Sequence, residues 1–137
     1  MKAREWMTYD PKTVNDDDLL KTAVTLVVEN RIRHLPVVRG DSLVGIISDR
    51  DLKRAMPSVV AGATPEEYQA FMEETSIEQM MTANPITCAP DEDLVDLVRQ
   101  FCQHKVGAIP VVEGERVVGI VTQTDMMRAF LAVLENR

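Results

Sequence analysis

Two short stretches of this chain place a hydroxyl and a carboxylate three residues apart, just after an apolar run. One is Ser48-x-x-Asp51, preceded by Leu43-Val44-Gly45-Ile46-Ile47; the other is Thr122-x-x-Asp125, preceded by Val117-Val118-Gly119-Ile120-Val121. An ionised carboxylate can accept two hydrogen bonds from the vicinal hydroxyls of a ribose, and a Ser or Thr hydroxyl with free backbone N–H groups can hold phosphate oxygens. The hydroxyl ends a strand and the carboxylate begins a helix, so an anion can also be received at the helix N-terminus. A glycine three residues before each hydroxyl leaves room for a ligand to approach the backbone. The same spacing is a capping box, which needs no ligand. An empty site can still cap its helix, so the two roles coexist.

The elements that must position these residues are written twice. Glu5–Met56 laid on Gln79–Phe130, at an offset of 74 and without a gap, matches at 17 of 52 positions. Chance would give about three, with each residue type near one in twenty. Each copy reads as β-α-β-β-α, an α/β (α+β) unit, and the two are expected to pack with pseudo-two-fold symmetry. A helical stripe (Leu19, Leu20, Ala23, Val24, Val27, Val28, then Leu94, Leu97, Val98, Phe101, Cys102) precedes a strand pair in each copy. The helix starts are read at Asn15 or Asp16 and at Pro90-Asp91. The strands are Leu35–Val38 with Leu43–Ile47, and Ile109–Val112 with Val117–Val121, each pair joined by a four-residue loop containing Gly. A closing helix runs from about Asp49 to Met56, and a longer one from about Gln123 to Leu134. The division is repeat 1 over 1–56, a helical linker over 57–76 and repeat 2 over 77–137. In the linker, Thr64-Pro65-Glu66-Glu67 is a helix start, with a capping hydroxyl, Pro in the first turn and acids behind it. The acidic linker is read as a solvated face, with a partner-binding face as the alternative.

Composition narrows the function. A formal charge of −7 excludes nucleic acid as the main partner and argues against an anionic membrane surface. No apolar run approaches the length of a membrane span, and the N-terminus carries no signal-peptide pattern, so a cytoplasmic location is expected. Cys88 and Cys102 then read as reduced, buried thiols. His34 and His104 have no metal-type spacing with them. No activated nucleophile and no Gly-rich phosphate loop is present, so an enzyme is not expected and no cofactor is implied.

With the Pro-Val-Val strand and the Gly-x-x-(Ser/Thr)-x-x-Asp motif doubled in register, the chain resembles the CBS domain family in its tandem pair, the Bateman module. The small stand-alone bacterial CBS-pair proteins, including the acetoin-utilization type, are similar to it. The resemblance implies a regulatory module that binds adenosine-containing ligands (AMP, ADP, ATP or S-adenosylmethionine) in clefts between the repeats, and a disc-like homodimer. It further implies crossed clefts. One would combine Thr122 and Asp125 with Thr13, Ile32, Arg33, His34 and Pro36. The other would combine Ser48, Arg50 and Asp51 with Thr87, Val106, Gly107, Ala108 and Pro110. Arg31, Arg33, Arg39, Arg50, Lys53 and Arg54 crowd near the first motif and suggest an anion site. The alternative is a non-catalytic dimeric interaction scaffold with empty clefts, acting on an unidentified regulated protein.

Overall fold

The computed structural model describes residues 1–55 and 61–136. Met56, residues 57–60 and Arg137 lie outside the described residues, and with them the expected end of the helix at Met56 and the first part of the 57–76 linker. Along the chain come a 3-10 turn (Ala3–Glu5), β1 (Thr8–Tyr9), β2 (Val14–Asn15), α1 (Leu20–Asn30), β3 (His34–Arg39), β4 (Ser42–Ser48), α2 (Asp49–Ala55) and α3 (Pro65–Glu74). They are followed by α4 (Ile77–Met80), β5 (Thr82–Ala83), α5 (Leu94–His104), β6 (Ala108–Glu113), β7 (Arg116–Thr122) and α6 (Gln123–Glu135). The β-α-β-β-α order is present in both copies. In the second, the opening strand shrinks to a single parallel bridge from Cys88 to Val111.

The chain packs as two compact units whose limits are not those of the repeat. One is Lys12–Asn84; the other joins Met1–Pro11 to Pro85–Arg137. Each unit therefore takes the opening segment of the other copy. In the Lys12–Asn84 unit, β5 pairs antiparallel with β4, β4 antiparallel with β3, and β2 parallel with β3. In the other unit, β1 pairs antiparallel with β7, and β7 antiparallel with β6. Asp10 and Asn84, the residues at the two exchange points, adopt positive φ just before Pro11 and Pro85, the kind of turn that short polar residues tolerate.

The exchange explains where the helix starts differ from the sequence reading. α1 and α5 begin after Leu19 and Asp93, and neither has a side-chain cap. Their first N–H groups instead donate to carbonyls brought in by distant chain: Leu20 to Thr75 at 2.9 Å and Leu94 to Met1 at 2.9 Å. Helix N-termini must find acceptors somewhere, and here the backbone supplies them, so no Asn or Asp is needed at Asn15 or Asp91. The hairpins are also tighter than expected. Arg39 pairs with Ser42 and Glu113 with Arg116, leaving only Gly40-Asp41 and Gly114-Glu115 as loops. A positive φ at Gly40 (+62°) and Gly114 (+64°) is what a two-residue turn demands of its first central residue.

Each unit has its own apolar core. In the Lys12–Asn84 unit, Leu20, Ala23, Leu35, Val37, Ile47, Met72 and Ile77 close together. In the other, Ala3, Leu97, Phe101, Ile109, Val111 and Val121 do so. The buried stripes are narrower than expected: Val28 is 69% exposed and Val98 40%. Cys102, expected inside, is exposed, whereas Cys88 is buried. α3 starts as the sequence reads, with Thr64 Oγ1 accepting from the Glu67 N–H at 3.1 Å. Among the described residues, no helix is long and apolar enough to cross a membrane.

Candidate functional site

Both motifs sit where a strand hands over to a helix, β4 to α2 and β7 to α6. Each forms the capping box. Asp51 N–H donates to Ser48 Oγ at 3.1 Å, and Ser48 N–H donates to Asp51 Oδ2 at 2.9 Å. In the second copy the same bonds join Asp125 and Thr122 at 3.2 and 2.8 Å. Such a cap stabilises its helix by about 1 kcal/mol. The first amide of each helix is also taken: Asp49 N–H donates to the Arg33 carbonyl at 2.8 Å and Gln123 N–H to the Gly107 carbonyl at 3.1 Å. The first and third helical amides are thus used inside the protein. Those two amides are therefore not free to receive an anion.

The glycine of each motif has a different cause from the one the sequence suggests. A Cβ on Gly45 would lie 2.4 Å from Met81 Sδ and 3.0 Å from the Thr82 carbonyl oxygen. A Cβ on Gly119 would lie 2.6 Å from Met7 Sδ and 3.0 Å from the Thr8 carbonyl oxygen. What approaches each glycine closely is the exchanged Met-Thr segment, paired as β5 or β1.

Strand register decides which candidates meet. His34 lies opposite Ser48, and Ala108 opposite Thr122. Val14 pairs with Val37, which sets Thr13, exposed, alongside Pro36. Cys88 bridges to Val111, which sets Thr87, exposed, alongside Pro110. So Thr13, Ile32, Arg33, His34 and Pro36 gather near Ser48, Arg50 and Asp51 in the Lys12–Asn84 unit. Thr87, Val106, Gly107, Ala108 and Pro110 gather near Thr122 and Asp125 in the other. The crossed grouping implied by the resemblance pairs residues of different units; inside each unit the register produces the same-repeat grouping. Pro36 and Pro110 are fully buried and offer a ligand backbone and shape only.

The two ends differ in charge. Around the first motif, Arg33, Arg50 and Arg54 are exposed, and Lys53 reaches Asp49 at 3.9 Å. Half-buried His34 has its pKa lowered, chiefly by loss of water and against the pull of Asp49 and Asp51; Arg33 and Arg50 lower it further. Its imidazole is therefore neutral near pH 7. Arg39 leaves the cluster: it sits at the far end of β3, about 16 Å from His34 at strand rise. There it grips buried Asp16 through Nε at 2.7 Å and Nη2 at 2.6 Å. Around the second motif, Gly107, Ala108 and Thr124 replace Arg33, His34 and Arg50. Arg128 is the cation there, 3.2 Å from Asp125 Oδ1. It also lies over the Trp6 ring, 6.0 Å from its centroid. Neither partner was singled out from sequence, because Trp6 reaches this unit only through the exchange. Among the described residues, no cluster of His, Cys, Asp and Glu could hold a metal ion.

Comparison with known proteins shows the family. The CBS domain model matches residues 3–58 and 77–132, and the chain belongs to the CBS domain family as a pair of CBS domains. It is 32% identical over 134 residues to a CBS domain-containing protein of Dictyostelium discoideum, covering 96% of this chain and 92% of that one. It resembles a crystal structure described as an acetoin utilization protein from Vibrio cholerae, with a TM-score of 0.79, 30% identity and coverage of 98% and 93%. The CBS domain pair of protein MJ0100, in complex with 5′-methylthioadenosine and S-adenosyl-L-methionine, gives a TM-score of 0.78 at 28% identity, covering 95% of this chain and 99% of that one. A relative with an enzyme name, the homoserine O-acetyltransferase of Methanococcoides burtonii, is 29% identical over 124 residues, but this chain spans only 22% of its length.

Proposed function

We propose that this CBS pair is a non-catalytic regulatory module that binds an adenosine-containing nucleotide at the motif ends of its strand pairs. The observation that carries the reading is the gathering of Ser48, Asp51, Arg33, Arg50 and His34 at one strand end. It sets a diol acceptor beside cations that can neutralise a phosphate. The MJ0100 pair, bound to two adenosine derivatives, supports the ligand class. The spatial grouping taken here is that of each repeat with its own motif. The enzyme name among the relatives fits the reading too, since the stretch shared with this chain is a fifth of that protein. Free Cys88 and Cys102 are consistent with a cytoplasmic location. Thermal unfolding with AMP, ADP, ATP and S-adenosylmethionine at about 1 mM tests the proposal. A ligand at 100 times its dissociation constant adds about 2.7 kcal/mol, several degrees for a chain of this size. No shift with any of the four sinks it.

An exposed apolar surface supports pairing of two copies as a homodimer. Exposed Val95 (62%), Met127 (64%) and Phe130 (54%) line a groove of about 740 Å³ between α5 and α6. The matching groove in the Lys12–Asn84 unit, between α1 and α2, has Tyr68 of α3 among its lining residues. Light scattering should give twice 15.4 kDa, falling to the monomer in Phe130→Glu. A monomeric wild type removes the dimer.

A further inference from the structure

The two motifs are alike in sequence and unlike in state. Asp125 is only 7% exposed, and both of its oxygens are engaged. Oδ2 accepts from the Thr122 N–H at 2.8 Å and from Thr122 Oγ1 at 3.0 Å, and Oδ1 accepts from Arg128 Nη1 at 3.2 Å. Arg128 is in turn steadied over Trp6 by a cation–π contact. Shifted by the repeat, Arg128 corresponds to Arg54 and Trp6 to Met80, and a methionine offers no ring face. Asp51 is half-buried and uses Oδ2 alone, for the Ser48 N–H. Among the described residues, Oδ1 of Asp51 has no partner and Arg54 makes no ion pair. A ribose diol needs a carboxylate with acceptor capacity to spare.

Building on the nucleotide reading above, we propose that the chain binds one nucleotide, with its ribose on Asp51 and its phosphate among Arg33, Arg50 and Arg54. The second motif is held shut by an Arg128–Trp6 latch on Asp125. The class of ligand follows from the same contrast. Three exposed guanidinium groups favour a phosphate-bearing adenosine over the cationic sulfonium of S-adenosylmethionine. The latched end, with Gly107 and Thr124 in place of Arg33 and Arg50, has no such set.

Calorimetric titration of the full chain with AMP tests this. Wild type should take up one equivalent per chain, and Asp51→Asn should bind at least tenfold more weakly. Arg128→Met, which keeps the aliphatic stem and loses the charge, should admit a second, weaker equivalent. Trp6→Met, which copies Met80, serves the same purpose if Arg128→Met does not fold, as judged by its thermal transition. Two equivalents in wild type would overturn the latch, as would Asp51→Asn binding within twofold of wild type or a single equivalent in the latch variant. No binding by wild type at all would instead sink the nucleotide reading, and this inference with it.

Discussion

Gly119→Ala separates the structural role of the motif glycine from a ligand role. Gly119 is buried in β7, beside β1, with ordinary backbone φ, so an alanine meets no backbone strain. It meets atoms: its Cβ would sit 2.6 Å from Met7 Sδ and 3.0 Å from the Thr8 carbonyl oxygen. The thioether can swing away, at the cost of its packing. The carbonyl belongs to a strand paired at Thr8↔Ile120 and Tyr9↔Gly119, and it can move only by loosening that pairing. Overpacking of this kind costs about 1–3 kcal/mol, and the stiffer unfolded chain returns about 0.4–1 kcal/mol. The net is a loss of about 1–2 kcal/mol, or about 3–7 °C in Tm for a chain of this length. Scanning calorimetry without any ligand measures it. The double variant Gly119→Ala with Met7→Ala isolates the cause. If the sulfur is the obstacle, the pair is less destabilised than the sum of its single changes by about 1 kcal/mol. An unchanged or raised Tm in Gly119→Ala, with nucleotide affinity lost, would refute the account and return the glycine to the ligand.

Four other outcomes are expected. Burial pushes the Cys88 thiol up to about 12, so at pH 8 its thiolate fraction is on the order of one in ten thousand; a thiol reagent should modify exposed Cys102 in the native protein and Cys88 only after unfolding. The His34 pKa is lowered in the fold from its ordinary 6.5, so stability is flat above that value. It falls below it, where the unfolded chain takes up a proton the folded one resists; His34→Gln should flatten the acid limb of the stability curve. Lys105→Gly relieves a left-handed φ of +53° at the end of α5 and should stabilise by about 1 kcal/mol in denaturant unfolding. A fragment of residues 12–84 keeps the whole core of its unit and should unfold cooperatively, whereas residues 1–56 lack Met72 and Ile77 and should not.

The repeat, the hairpins and the α3 cap were legible because each has a strong local signal: an ungapped period, a glycine at the turn, a Thr-Pro-Glu-Glu start. The hydroxyl-x-x-Asp spacing was legible as a capping box and both boxes form, while the register sets each strand end beside its own repeat's motif and not the other's. Most of what escaped has one physical origin. β1 and β5 are two residues long, too short to carry any alternation, yet they decide which atoms crowd Gly45 and Gly119. The chain leading into them brings the Thr75 and Met1 carbonyls that start α1 and α5, and Trp6 to Arg128. Arg39 escaped for another reason: in sequence it neighbours the basic cluster, but it stands five positions along β3 from His34, and it ends at Asp16.

The exchange of opening segments also changes what duplication implies for function. Had each copy closed on itself, its motif would be surrounded by its own opening segment, and the two ends would diverge only through changes near the motif. Here Trp6, the residue set against Arg128, comes from the opening segment of the other copy. Trp6, encoded with the first motif, steadies the arginine that holds the second. Met80, the counterpart of Trp6 at the repeat offset, has no ring to offer. One substitution in an opening segment therefore alters the motif it does not precede. A pair of nearly identical motifs can thus be left with one carboxylate occupied and the other open, with the hydroxyl-x-x-Asp spacing unchanged in both.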